Sequence, residues 1–541
     1  VEEYDVLVRD GWLYDGSGAP PQVGNLGIRG DTIAAVGRLG AARGRVEIDA
    51  RGLAVAPGFI NMLSWANESL IHDGRSQSDI RQGVTLEVLG EGWSMGPLND
   101  ALKQEQREQQ GDVRYDIEWT TLGEYLDWLV QRGVSCNVAS FVGATTLRIH
   151  EIGHANRAAT PTELERMCAL ARQAMEEGAM GVSSALIYAP SIFADTNELI
   201  ALARVAAAYD GMYISHLRNE GDSLLEAFDE FLTIAREAGV RAEVYHIKAS
   251  GRANWHKLDT LLDRVEDARR AGLPITADMY TYNASSTGLD SVMPPWVQEG
   301  GWKAWVERLK QPAVRARVKQ EMNTPTRDWD NGWLACGSPE NIILVGFRKQ
   351  HLKPLAGKTL AQVAALRGTS PEDTALDLVI EDEGNVGAAF FTMSEDNIRK
   401  EIRVPWISFC SDAQSIAAEG IFLQRRPHPR TYGAFARLLG RYVREERLIP
   451  LEEAIRRLTA LPAANLKVER RGRLRPGYFA DVVVFDPATI ADRSTFQDPH
   501  QYAVGVRHVL VNGVPVLRDG EHTGALPGRV VRGPGWRRSD G

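Results

Sequence analysis

The chain has 541 residues, 44% of them apolar and 25% charged, and a formal net charge of −9. That length calls for one large core with a satellite or two, and the acidic balance excludes nucleic acid as a partner, which needs a clustered basic face. No apolar uncharged run reaches the roughly 18 residues that a membrane span requires, so that class is excluded as well.

The opening "VEEYDVLVRDG" has acidic residues where a secretory signal would have basic ones, so a cytoplasmic location is the expectation. It leads into "YDVLVRDGWLYDGSG", "GNLGIRGDTIAAVG" and "RVEIDARG", short alternating runs broken by Gly and Asp turns. These read as a small antiparallel sheet. The far end has the same texture in "ADVVVFDP" and "VRHVLVNGVPVLRDG", where Asn512-Gly513 is a hairpin signal. Residues 1–55 and 468–541 are therefore expected to close into one β-sandwich.

Between these ends, residues 56–467 alternate apolar strands with amphipathic helices, the pattern of parallel βαβ units. The helices "TNELIALARVAAAYDG", "LLEAFDEFLTIAREAG" and "HKLDTLLDRVEDARRAG" each end in a Gly suited to stop them. Eight strands follow in order: "LAVAPGFINML", "VTLEVLG", "CNVASFVG", "GVSSALIY", "MYISH", "AEVYHIK", "PITADMYTY" and "PWISFCSD". An α/β fold of the (β/α)8 TIM-barrel type is predicted, with its chemistry at the C-terminal strand ends. A helical insertion at residues 294–347, before the eighth strand, is expected to form a lid.

The fifth strand ends at His216 and the sixth at His246, equivalent positions in consecutive units, so two imidazoles converge on one opening. Such a pair suits a divalent ion, zinc above all. A single His in an apolar run would instead read as a hydrogen-bonded core residue. Asp412 ends the eighth strand, where a carboxylate can take a proton from water and return it to a leaving amine; alone, it would read as a helix cap. Cys136, Cys168, Cys336 and Cys410 have no short spacing, and each reads as a small buried residue.

The ordered series "IDARGLAVAPGFI", "QGVTLEVLGEG", "IYAPSIFADTNELIALARVAA", "SHLRNEGDSLLEAFDE", "HIKASGRANWHKL", "PPWVQEGG", "HPRTYGAFARLLGRYVREE" and "GRLRPGYFADVVVFDPATI" resembles the D-aminoacylase (N-acyl-D-amino-acid deacylase) family of the amidohydrolase superfamily over nearly the whole chain. The resemblance implies a barrel with a β-sandwich, a His pair on zinc at His216 and His246, and a general base at Asp412. It also implies substrate contacts at Tyr188, Lys248, Tyr280 and Ser286.

The chain departs from that family at the first strand. The usual D-x-H-x-H corresponds to Asn61, Leu63 and Trp65, and the Cys-bearing turn after the second strand reads "GEGWSMGPL", where Glu91 is the remaining donor. The fourth strand has no Lys to bridge a second ion. The expectation is one zinc ion per chain on Glu91, His216 and His246, with Trp65 as a substrate wall or as filler for the lost position.

The leading function is hydrolysis of the amide of a small N-acyl amine or N-acyl-D-amino-acid-like substrate. Two alternatives stay open: dehydrative cyclisation of an amino-amide on the same site, and an inactive barrel kept as a binding or assembly protein; a homo-oligomer is left open as well.

Overall fold

The computed structural model describes residues 2–538. Strands from both ends of the chain meet in one nine-stranded mixed sheet. The N-terminal strand Glu3–Leu13 pairs antiparallel with Gln22–Arg29 and parallel with Arg43–Asp49 and Ala54–Pro57. The last of these pairs antiparallel with Val482–Phe485, which carries the sheet into the C-terminal strands. Val6, Val8, Ile28, Ile48, Val482 and Val484 fill its core, and burial of such side chains drives the joining of the two ends. At its junction with the barrel the sheet is locked by polar groups: Asp481 accepts from Arg471 and from the Asn512 backbone N–H at 2.8 Å.

The run 53–63, expected as a single strand, breaks at Gly58. Ala54–Pro57 belongs to the terminal sheet, and Phe59–Asn61 opens the barrel. A side chain at position 58 would collide with Thr85, so only Gly lets the chain pass from one sheet to the other here.

The barrel strands are Phe59–Asn61, Val84–Leu89, Asn137–Ser140, Gly181–Ala185, Met212–His216, Arg241–Val244, Ile275–Met279 and Ile407–Phe409. All neighbouring pairs that share a hydrogen-bonded ladder are parallel. The third strand continues past Phe141 into Val142–Gly143, which pairs with the fourth. The first and eighth close the ring: Met62 N–H donates to Phe409 O at 3.3 Å and Asp412 N–H to Leu63 O at 2.9 Å. Helix Leu224–Ala238 stops at Gly239 in the left-handed region, as expected. For Thr196–Ala208 that role falls to Asp210 (φ +59°) and not to Gly211.

The segment before the eighth strand is larger than residues 294–347, and it is not purely helical. Ser285–Gly288, Gly387–Phe390 and Ile342–Gly346 form a three-stranded antiparallel sheet with Gly387–Phe390 at its centre. Helices that include Trp302–Leu309 and Pro371–Glu381 pack with it around Leu309, Leu344, Leu376 and Phe390, a core separate from that of the barrel. No helix among the described residues is long and apolar enough to cross a membrane.

Candidate active site

The turn after the second strand is Gly90-Glu91-Gly92, with both glycines at positive φ (+100° and +68°). A Cβ on Gly90 would meet the Phe141 carbonyl, and one on Gly92 would lie 2.7 Å from Ala185 Cβ. The two glycines let the backbone fold this close, and Glu91 is thereby buried at the barrel mouth, 3% exposed.

His216 ends the fifth strand and His246 lies two residues beyond the sixth; the rings stand 4.6 Å apart and nearly perpendicular. His246 is held at φ +34°, an uncommon conformation fixed by its N–H, which donates to Asp278 Oδ1 at 2.7 Å. Glu91 Oε1 lies 3.4 Å from His216 Nδ1, and Glu91 Oε2 lies 3.4 Å from His246 Nε2. Glu91 Oε2 and both ring nitrogens of His216 are buried without a hydrogen-bond partner among the described residues. Buried polar atoms are seldom left so. The donor set, two imidazoles and a carboxylate within 4.8 Å of one another, fits a divalent ion. Burial opposes the charge on Glu91, but the imidazoles outweigh it and hold the carboxyl at about 2.

Glu220 lies behind the histidines. Its Oε1 is 3.1 Å from His216 Nε2 and its Oε2 is 3.2 Å from His246 Nδ1, so one carboxylate faces the outer nitrogen of each ring. Lys248 Nζ donates to Glu220 Oε2 at 2.6 Å and lies 2.8 Å from His246 Nδ1. Burial would discharge Lys248, but Glu220 overrides it and raises its pKa. Lys248 is thus bonded to residues that support the site, and it also lines the cavity described below.

Asp412 also sits at positive φ, +51°. Trp65 Nε1 donates to its Oδ1 at 3.1 Å, and Arg430 Nη1 lies 3.3 Å from its Oδ2. Burial raises the Asp412 pKa, and the Arg430 charge only partly offsets the rise. Trp65 therefore holds a carboxylate as well as forming a wall. Asn61, where the usual pattern has Asp, ties the first strand to the eighth: its Nδ2 donates to Ser411 Oγ at 2.8 Å and its Oδ1 accepts from Ser411 N–H at 2.9 Å. Leu63 is fully buried in the core.

One cavity of about 510 Å³ is lined by all the residues singled out from the sequence: Trp65, Glu91, Tyr188, His216, His246, Lys248, Tyr280, Ser286 and Asp412. Tyr280 Oη is buried without a partner, and burial raises its pKa, so it stays a neutral donor. The Tyr188 hydroxyl accepts from Thr287 at 2.9 Å, and Ser286 Oγ donates to the Ala388 carbonyl at 3.0 Å. Sequence reasoning missed Glu220 and Arg430. Glu220 follows His216 at i+4, and Arg430 stands in "HPRTYGAF", where it reads as an ordinary helix start. Arg430 lies over the Tyr280 ring at 4.5 Å, with Nε and Nη1 lacking hydrogen-bond partners among the described residues.

A closed parallel barrel with two histidines, a glutamate and an aspartate at its mouth defines a metal-dependent hydrolase architecture. The chain belongs to the amidohydrolase family, whose model matches residues 46–517. It is 34% identical to the D-aminoacylase of Alcaligenes xylosoxydans xylosoxydans over 98% of each chain. It also matches the crystal structure of N-acyl-D-glutamate deacylase from Bordetella bronchiseptica, complexed with zinc and a phosphonate mimic of the tetrahedral intermediate. That match has a TM-score of 0.81 and 33% identity, covering 98% of this chain and 100% of that one. A D-aminoacylase whose binuclear metal centre is described by one-metal activation and second-metal attenuation matches with a TM-score of 0.81 and 32% identity, over 98% of this chain and 100% of that one.

Proposed function

We propose that this chain is a metal-dependent amidohydrolase that cleaves the amide bond of an N-acyl-D-amino-acid-like substrate. The observation that carries this reading is the buried trio Glu91, His216 and His246, with unpartnered atoms on Glu91 and His216, beside a carboxylate held on both oxygens. Those three residues would hold one zinc ion. The count of one is supported by Asn61, Leu63 and Trp65 at the first strand and by a fourth strand, Gly181–Ala185, without Lys. When bound, such an ion supplies Lewis acidity, lowering the pKa of water and polarising a carbonyl.

Asp412 takes a proton from the attacking water and returns it to the departing nitrogen, so that one water is added across the C–N bond to give a carboxylic acid and an amine. Trp65 and Arg430 fix the orientation of Asp412. Arg430 Nη1 stays with Asp412, while its unpartnered Nε and the unpartnered Tyr280 hydroxyl grip the substrate carboxylate. The terminal sheet is a supporting sandwich domain, and the lobe built from residues 285–390 is a lid: it contributes Ser286, Arg348 and Asn385 to the cavity wall. An inactive barrel has no reason to keep the trio and the base together.

The test is metal analysis followed by assay of N-acyl-D-amino acids with wild type and Asp412→Asn. One ion per chain in both proteins is expected, with kcat lowered about 10²–10⁴-fold in the variant. Full activity of Asp412→Asn, or two ions per chain, overturns the corresponding part.

A further inference from the structure

A second cavity of about 690 Å³ lies between the barrel mouth and the inserted lobe. It meets the first along Trp65, Glu68, Trp93, Gln109, Asn385 and Gln414, which line both. Its apolar walls include Met95 and Leu98 from the loop after the second strand, and Trp302 and Trp305 from the lobe. No Lys or Arg lines it, whereas Lys248, Arg348, Arg425 and Arg430 all line the first cavity. Its carboxylates are already engaged: Glu105 pairs with His154 at 2.9 Å, Asp290 accepts from Gln298 at 3.0 Å, and Glu68 accepts from the Tyr115 hydroxyl at 2.6 Å.

Asp412 lines the first cavity and is hydrogen-bonded to Trp65, which lines both. Its Oδ2 faces Arg430 and its Oδ1 faces the Trp65 indole. An amide that straddles Asp412 with its carboxylate half on Arg430 sends its acyl half past Trp65. We infer that the second cavity is the acyl subsite and takes an extended apolar or aromatic acyl group; this rests on the amidohydrolase reading above. A space of this size is in the range that encloses a drug-sized ligand, and an acetyl group would leave it unfilled. Four tryptophans supply large apolar faces. Three carboxylates and no cation disfavour an acyl group that ends in an anion.

The experiment uses the metal-loaded enzyme and D-alanine acylated with acetyl, butyryl, hexanoyl, octanoyl, phenylacetyl or succinyl groups, followed by kcat/KM and by calorimetric binding. From acetyl to hexanoyl, kcat/KM is expected to rise about threefold to fourfold per methylene, the increment for burying a CH₂. The heat-capacity change should become more negative along the series, and succinyl should fall below butyryl. Leu102→Trp, which fills the cavity from helix Asp100–Gln109, should erase the gain for octanoyl while leaving acetyl within about twofold. Trp302→Ala, in the lobe, is the second variant and should lower octanoyl more than acetyl. A flat series with acetyl well hydrolysed overturns the subsite while the hydrolase reading stands. Chain-length-dependent binding without hydrolysis upholds the subsite and overturns the hydrolase reading, and neither binding nor hydrolysis overturns both.

Discussion

Glu220 shows how much of the site lies in residues that face no substrate. A metal-binding His holds its ring in place by giving its second nitrogen to a carboxylate or carbonyl. One Glu220 carboxylate faces the outer nitrogens of both His216 and His246, leaving His216 Nδ1 and His246 Nε2 toward Glu91. Glu220→Ala is therefore expected to weaken metal binding about 10–100-fold, read as the zinc dissociation constant by competition with a chelator, with Glu220→Gln retaining part of the affinity. Equal affinity in wild type and Glu220→Ala would remove Glu220 from the support of the site. The positions of His216, His246 and Asp412 were legible because each ends an apolar run. Glu220 and Arg430 were not, since neither ends an apolar run: Glu220 stands in a polar loop four residues past His216, and Arg430 reads as an ordinary helix start.

At the scale of the element, the sixth and seventh strands bring two carboxyls together inside the barrel. Thr276 Oγ1 donates to Glu243 at 2.8 Å, and Asp278 accepts the His246 N–H beside it. Burial is the main cause that raises Asp278 from 3.8 to about 7, and burial likewise pushes Glu243 well up. A carboxyl with a raised folded pKa keeps a proton that the unfolded chain has lost, so folding stability falls as pH rises from 3.8 to about 7. Asp278→Asn still offers an oxygen to the His246 N–H but cannot ionise. Its Tm is expected to vary less with pH across that window than that of wild type, and an unchanged profile in a thermal melt would refute the assignment. The inserted lobe shows the opposite limit of legibility: "SSTG" and "GAAF" are too short and too weakly patterned to announce strands, and they become strands only by pairing with Ile342–Gly346 and with each other.

On the scale of the whole molecule, the barrel and the lobe have separate apolar cores. Leu344 is fully buried in the lobe core, so Leu344→Ala is expected to destabilise that lobe by about 2–5 kcal/mol. Calorimetry should show a lobe transition moving to lower temperature while the main barrel transition stays in place. A single transition that shifts as a unit would mean that the two cores unfold together. The same separation bears on function, because the wall that Trp302 and Trp305 supply belongs to the lobe while the catalytic groups belong to the barrel.

The sequence by itself determined the barrel, its eight strands and the end of each at which His216, His246 and Asp412 stand, because hydrophobic period and strand order are local properties of the chain. The family resemblance added the expectation that Asn61, Leu63 and Trp65 stand where relatives carry a ligand-bearing strand end. Only the tertiary structure decided what the replacements do: Asn61 latches the first strand to the eighth, Leu63 joins the core, and Trp65 donates to Asp412. It likewise decided that Lys248 is bonded to Glu220 and that the lobe adds a second cavity. These are contacts between residues up to hundreds of positions apart, and no local pattern encodes which of them the closed barrel will bring within hydrogen-bonding distance.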